Sequence, residues 1–196
     1  MTSASLYLAS NSPRRRELLR QIGVSFESLS VEIDETPLAG EVPEDYVVRM
    51  AQEKVRAALS ERPHASPLPV LCADTTVVLG DRILGKPACR EEAVSMLLAL
   101  SGREHRVLTA VAISDGGSVQ TRLIATRVWF GAVTESLAQR YWDSGEAADK
   151  AGSYGIQGKG ALFVQRIEGS YSAVVGLPLA ETAELLAQFG VPYWVY

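Results

Sequence analysis

Val70-Leu71-Cys72-Ala73-Asp74-Thr75-Thr76-Val77-Val78-Leu79 is an apolar run with one carboxylate near its middle, and its reading decides the fold. Its wealth of Val and Leu predicts a strand covered on both faces, the kind found inside α/β sheets. An ionised Asp74 in such a strand costs several kcal/mol unless a cation, a metal or a functional need offsets its burial. A plainer reading ends the strand at Ala73 and lets Asp74 and Thr75 open a turn. The residues of this stretch alone leave both readings standing, because displaced carboxylates mark active sites only statistically.

The surrounding chain narrows the choice of class. With 196 residues it can bury one good-sized core, and a single domain over residues 1–196 is expected. Hydrophobic residues make up 47% and charged residues 21%, values of an ordinary globular protein rather than a disordered or fibrous one. A net charge of −4 argues against a general nucleic-acid binder, so an anionic ligand would have to be held by local positive charge. No stretch of 18 or more apolar residues suggests a membrane span, and Met1-Thr2-Ser3-Ala4-Ser5 lacks the basic start of a signal peptide, so the cytoplasm is the expected compartment. Cys72 and Cys89 have no metal-binding spacing and read as two reduced, packed thiols.

Upstream of the run, Leu6-Tyr7-Leu8-Ala9 predicts a strand, Ser10-Asn11-Ser12 a tight loop, and Pro13 to Ile22 a helix with Ser12 at its N-cap and Gly23 after its end. Arg14, Arg15 and Arg16 stand where cations oppose the helix dipole by a few tenths of a kcal/mol each. A bound anion would reverse that sign: backbone N–H groups, the Ser10 and Ser12 hydroxyls and one or two of the arginines make a phosphate cradle. A solvated basic patch is the plainer alternative. Leu29, Val31 and Ile33 alternate as a second strand ending at Asp34-Glu35, two acids that can hold a divalent metal through oxygen or can simply face water. Pro43 opens a helix whose inner side carries Val47, Met50, Ala51, Val55 and Ala58, and Lys54 falls on the same stripe, able to snorkel to water or to reach a phosphate. Ser60 to Pro69 is read as a loop, with His64 solvated.

Downstream, Gly80-Asp81 turns the chain into a small hairpin before Gly85-Lys86-Pro87. A helix is predicted from Glu91 to Leu100, with Ala93, Val94, Leu97 and Leu98 inward, and His105 beyond it reads as structural or exposed. Long strands over Val107–Ile113 and Val119–Phe130 are joined by Asp115-Gly116-Gly117, which makes the sheet mixed. After a helix between Thr134 and Gly145 comes Asp149-Lys150-Ala151-Gly152-Ser153-Tyr154-Gly155-Ile156-Gln157-Gly158-Lys159-Gly160, where glycines let backbone amides approach a ligand and Tyr154 and Gln157 can contact a base. It has neither P-loop lysine spacing nor a dinucleotide fingerprint. A further hairpin about Glu168-Gly169 (Ala161–Ile167 with Ser172–Val175) and a helix over Pro178–Phe189, burying Leu185, Leu186 and Phe189, precede an apolar end, Val191 to Tyr196, expected to pack on the body or at a subunit contact.

Taken together, Leu8-Ala9-Ser10-Asn11-Ser12-Pro13-Arg14-Arg15, Ala73-Asp74-Thr75-Thr76-Val77, Gly85-Lys86-Pro87, the stretch from Asp149 to Gly158 and Gly169-Ser170-Tyr171-Ser172-Ala173-Val174-Val175-Gly176-Leu177-Pro178 resemble the Maf family of nucleoside triphosphate pyrophosphatases, once described as septum-formation inhibitors. The form Lys150 to Gly158 looks like the branch that hydrolyses dTTP and UTP rather than 7-methyl-GTP. The resemblance implies an α/β fold, a mixed, partly antiparallel twisted sheet flanked by helices with a central nucleotide-binding cleft. It further implies cleavage between the α and β phosphates, with a divalent cation such as Mg or Mn, giving a nucleoside monophosphate and pyrophosphate. Asp74 then matches the proposed general base, Arg14, Thr75 and Gln157 match specificity positions, and Ser10, Arg15, Glu35, Lys54 and Lys86 match other active-site positions. Of these, Ser10, Arg15, Lys54 and Lys86 are assigned to phosphate, and Glu35 with Asp74 to metal. Gln157 offers an acceptor and a donor together, as the N–H and carbonyl edge of thymine or uracil requires. Asp74 can orient or deprotonate water, or help hold the metal, and the sequence does not separate these. The partners expected are the nucleotide and, by analogy, a second copy in a homodimer, with neither nucleic acid nor membrane. Two rival readings are a nucleotide-binding regulator of cell division without turnover and an enzyme of the same chemistry that clears modified pyrimidine triphosphates.

Overall fold

The computed structural model describes residues 4–63 and 67–194, and its elements follow the chain in the order β1 (Leu6–Ala9), α1 (Pro13–Gln21), β2 (Phe26–Leu29), α2 (Pro43–Glu61), β3 (Val70–Leu79), β4 (Arg82–Leu84), α3 (Arg90–Leu100), β5 (Glu104–Ser114), β6 (Gln120–Phe130), α4 (Glu135–Asp143), β7 (Val164–Glu168), α5 (Tyr171–Val175) and α6 (Leu179–Gln188). Short 3-10 turns at Ala151–Ser153 and Lys159–Phe163 bracket the glycine-rich loop. The strands form one seven-stranded sheet in the order β2-β1-β3-β5-β6-β7, with β4 on β3. β1 runs parallel to β2 and β3, whereas β4 is antiparallel to β3 and β7 to β6, so the fold is α/β with a mixed sheet.

The chain forms two compact units: Met1–Asp74 with Thr109–Ile124 and Gly176–Tyr196, and Thr75–Leu108 with Ala125–Val175. In the first, Leu6, Leu8, Leu19, Val47, Met50, Ala51, Val55, Leu71 and Leu185 are buried, as the 3.6-residue stripe of α2 and the unbroken apolar run of β1 require. In the second, Val77, Leu84, Leu97, Leu100, Val107, Phe130, Tyr141, Tyr154 and Phe163 share one cluster, with α3 packed against α4.

Several expectations are corrected. The second strand lies at Phe26–Leu29, not at Leu29–Ile33: its backbone pairs Leu6 with Phe26 and Ala9 with Leu29, so Val31 and Ile33 follow the strand. Residues Ser172–Val175 form a helix rather than a strand, because Ser170 Oγ accepts from the Ala173 N–H and caps the turn (3.2 Å), overriding the β-branched composition. The polar Glu104-His105-Arg106 opens β5 instead of preceding it. Leu98 and Cys89 are exposed, Phe189 is half-buried, and Leu97, Met96 and Leu100 carry the inner side of α3. At the C-terminal end Val191 packs inward and the Trp194 N–H donates to the Ile22 carbonyl (2.7 Å), but the Trp194 ring is exposed. His64 and the last two residues of that end lie outside the described residues. Among the described residues no helix is long and apolar enough to cross a membrane.

Candidate active site

β3 does not stop at Ala73. It continues to Leu79, so Asp74 stands inside a strand and is only 9% exposed. What offsets its burial is Lys54, reaching from α2: Nζ lies 2.7 Å from Asp74 Oδ1 and 2.6 Å from Glu35 Oε1. The lysine of the apolar stripe therefore bridges two carboxylates. Burial pulls its ammonium toward neutrality, but Asp74 and then Glu35 oppose this more strongly, and the net displacement is upward, which keeps Lys54 charged. Asp74 is slightly more enclosed than Lys54, while the Glu35 side chain is 45% exposed, so the cluster opens toward water on the Glu35 side.

The parallel pairing of β1 with β3 places the C-terminal end of β1 beside the segment leading to Asp74, the end at which α/β sheets bind ligands. Ser10 follows β1 directly and is buried. Its hydroxyl accepts the Ser12 N–H (3.2 Å) and a long contact from Arg15 Nη1 (3.4 Å). Ser12 occupies the N-cap of α1, but its side chain caps nothing there. Arg15 Nε donates to the Gly176 carbonyl at 2.8 Å, which fixes the guanidinium across 161 residues of sequence. Burial lowers the Arg15 pKa; the negative charge of Asp74 opposes this and the neighbouring Arg14 adds to it. Arg15, Asp74, Lys54 and Glu35 thus lie within one another's fields.

Glu35 belongs to an irregular segment, and α2 holds that segment in place. Tyr46 Oη donates to the Glu35 carbonyl (3.0 Å), and Arg49 donates to the Thr36 carbonyl (3.1 Å) while pairing with Glu41 at 2.6 and 2.7 Å. The two-pronged Arg49 contact takes the Glu41 carboxyl down to about 2, and burial followed by the charges of Asp74 and Glu35 pushes the Tyr46 hydroxyl up to about 12. Asp34 accepts the Thr36 N–H at 2.9 Å.

The second unit begins at Thr75, half-buried, and carries Lys86 and Gln157, both exposed. The loops of these two residues are tied by a bond from the Gly152 N–H to the Gly85 carbonyl (3.0 Å). Gly152 has φ +67°, and a Cβ there would fall 2.9 Å from the Val77 methyls, so only glycine fits. Tyr154 does not face a ligand, contrary to the expectation of a base contact. It is buried, with its hydroxyl 2.8 Å from His105 Nε2 and its ring edge-on to Phe130. The amides of the glycine-rich loop are engaged as well: Lys159 and Gly160 donate to the Glu146 carboxylate and Gly155 to the Tyr141 hydroxyl.

The family model described as Maf-like protein matches residues 5–189. The chain belongs to that family. Its relatives include three proteins named dTTP/UTP pyrophosphatase: one from Saccharophagus degradans, 52% identical over 98% of this chain and 92% of its own length; one from Aliivibrio fischeri, 50% identical over 95% and 98%; and one from Pasteurella multocida, 50% identical over 97% and 98%.

Within this Maf-like chain the residues singled out from the sequence fall into two groups. Ser10, Arg14, Arg15, Glu35, Lys54 and Asp74 belong to the first unit, where Arg15, Glu35, Lys54 and Asp74 share one electrostatic cluster; Thr75, Lys86 and Gln157 belong to the second. Among the described residues no three His, Cys, Asp or Glu side chains gather as a metal cage. The donor chemistry nevertheless fits a hard divalent cation: two carboxylates already converge on one cationic nitrogen, and magnesium-type sites use one or two carboxylates with water and phosphate completing the shell. Sequence reasoning missed the Gly176 carbonyl and the Tyr46, Arg49 and Glu41 support of Glu35. The Gly-Leu-Pro at 176–178 was visible as part of a motif, but nothing in it reveals a partner 161 residues away.

Proposed function

We propose that this chain hydrolyses dTTP and UTP between the α and β phosphates, releasing the nucleoside monophosphate and pyrophosphate. The observation that supports it most is the buried Asp74 carboxylate, held by Lys54 beside the Ser10–Arg15 turn, together with relatives about half identical over nearly the whole chain. A triphosphate carries about four negative charges. Arg14, Arg15 and Lys54 set against Glu35 and Asp74 leave only one net positive charge, so further cationic help is needed. Lys86 is assigned to the phosphates for that reason, and Glu35 with Asp74 would hold a divalent cation, Mg or Mn. Such an ion, when bound, would neutralise phosphate charge and polarise the phosphorus–oxygen bonds. In the proposed step a water attacks the α phosphorus, its proton passes to Asp74, and the bond to the bridging oxygen breaks with the electron pair leaving on pyrophosphate. Arg15, fixed by Gly176, and Lys54 meet the charge that develops on the phosphoryl oxygens.

Base choice is assigned to Gln157, with Arg14 and Thr75. Gln157→Ala is expected to narrow the preference for dTTP over dCTP by about tenfold while changing turnover at saturation less, since lost recognition of one base edge is a matter of differential binding. An unchanged substrate profile would remove Gln157 from that role. The test of the whole reading is pyrophosphate release from a panel of ordinary and modified nucleoside triphosphates, with Mg, Mn or a chelator present. Turnover of dTTP and UTP that the chelator abolishes is expected. Stronger turnover of modified pyrimidines at low concentration would move the physiological substrate to those. Binding without cleavage would favour a regulator of septum formation. The reaction is assigned to the cytoplasm, with a homodimer as the working state.

A further inference from the structure

We propose that Glu146 is a positioning residue for base selection: its carboxylate is the template on which the loop carrying Gln157 is folded. This deepens the function proposed above, since it rests on Gln157 reading the base. Glu146 lies just beyond α4, outside the loop that it organises. Its Oε1 accepts from the Tyr141 hydroxyl (2.8 Å) and the Gly160 N–H (3.2 Å), and its Oε2 from the Lys159 N–H (2.9 Å). The Tyr141 hydroxyl in turn accepts the Gly155 N–H at 3.0 Å. The chain is therefore gripped two residues before Gln157 and again two and three residues after it, while Gln157 itself stays exposed at the bend.

Gly158 and Gly160 answer to contacts within the protein, Gly158 to the carboxylate itself. A Cβ on Gly158 would lie 2.4 Å from both Glu146 oxygens, and one on Gly160 would lie 2.8 Å from the Tyr141 hydroxyl. Successive N–H groups converging on an anion form a nest, and here the anion is part of the protein. Burial works against the charged form of Glu146, but the Lys159 and Gly160 amides and Tyr141 outweigh it, and the net pKa is lowered, so the carboxylate is charged when it accepts these bonds. The Lys150 ammonium donates to the Glu146 carbonyl, closing the same residue onto the start of the loop. A glutamine at 146 keeps the shape but replaces one acceptor oxygen with an NH2 group, which must then confront an N–H or hydroxyl donor. Loss of template geometry displaces Gln157 without removing it.

The experiment compares Glu146→Gln, Gln157→Ala and the double variant by kcat/KM for dTTP and dCTP, alongside amide hydrogen exchange over residues 155–160. Glu146→Gln is expected to lower the dTTP-to-dCTP ratio about tenfold, the scale on which a small misplacement of a contact group is felt. The double variant should be no less selective than Gln157→Ala alone, because both act through one side chain. Exchange in the loop should quicken. A retained ratio overturns the proposal, and so does additivity in the double variant, which would mean that Glu146 acts by another route. Unchanged exchange overturns the template itself. Failure of the base-reading assignment is seen separately, as a Gln157→Ala variant that keeps the wild-type ratio.

Discussion

Replacing Asp74 by Asn is expected to slow pyrophosphate release from dTTP and UTP by about a thousandfold, within the range that a positioned general base contributes. The substitution is nearly isosteric, so the strand and its packing persist. What it removes is the negative charge that Lys54 compensates and the oxygen that would take a proton from water. Glu35 remains within 2.6 Å of Lys54, so the ammonium keeps one partner and does not become an isolated buried charge. Melting temperature should therefore change little while kcat collapses, and this contrast separates a chemical role from a structural one. A variant that keeps more than a tenth of wild-type turnover would exclude Asp74 as the base and shift attention to Glu35.

A second large effect concerns stability. His105 is buried, its Nε2 is bonded to Tyr154, and Nδ1 has no hydrogen-bond partner among the described residues. Burial drops its pKa to about 4, with only Glu104 pulling upward. The unfolded imidazole titrates near 6.5, so between about pH 6.5 and pH 4 the unfolded chain binds a proton that the native chain refuses, and stability falls as the solution is acidified. By pH 5 the loss from this one group is expected to reach about 2 kcal/mol. His105→Phe keeps a ring against Phe130 but cannot titrate. Its baseline stability will be lower, because the Tyr154 hydroxyl loses its partner, yet its urea midpoint should fall less between pH 7 and pH 5 than that of the wild type. Parallel pH profiles would refute the assignment.

These cases show which parts of the molecule can be read from residues alone. The inner side of α2 was legible because five apolar positions recur at helical spacing, and the same spacing put Lys54 among them. The partners of Lys54 were not legible, since Asp74 and Glu35 reach it through tertiary packing. Val31 and Ile33 mimic a strand by alternation, but a strand exists only where a neighbour supplies its backbone bonds, and β1 supplies them to Phe26–Leu29. Tyr171 to Val175 has the composition of a strand, and one capping hydroxyl turned it into a helix. The glycine-rich loop announced that backbone amides would approach a ligand closely; no local pattern could say that Lys159 and Gly160 instead meet the Glu146 carboxylate.

The bridge of Lys54 between Asp74 and Glu35 also bears on how a nucleotide would first meet this protein. A naked lysine at that place would project a positive field out to about the 8 Å at which physiological salt screens charge, and would draw triphosphates in at a rate that falls steeply with ionic strength. A lysine set against two carboxylates belongs to a trio of formal charge −1 and supplies no positive pull at a distance. The long-range pull is left to the arginines after Ser12, so capture of substrate should depend less on salt than the number of cations suggests, with the lysine and its acids acting only once the phosphates have arrived.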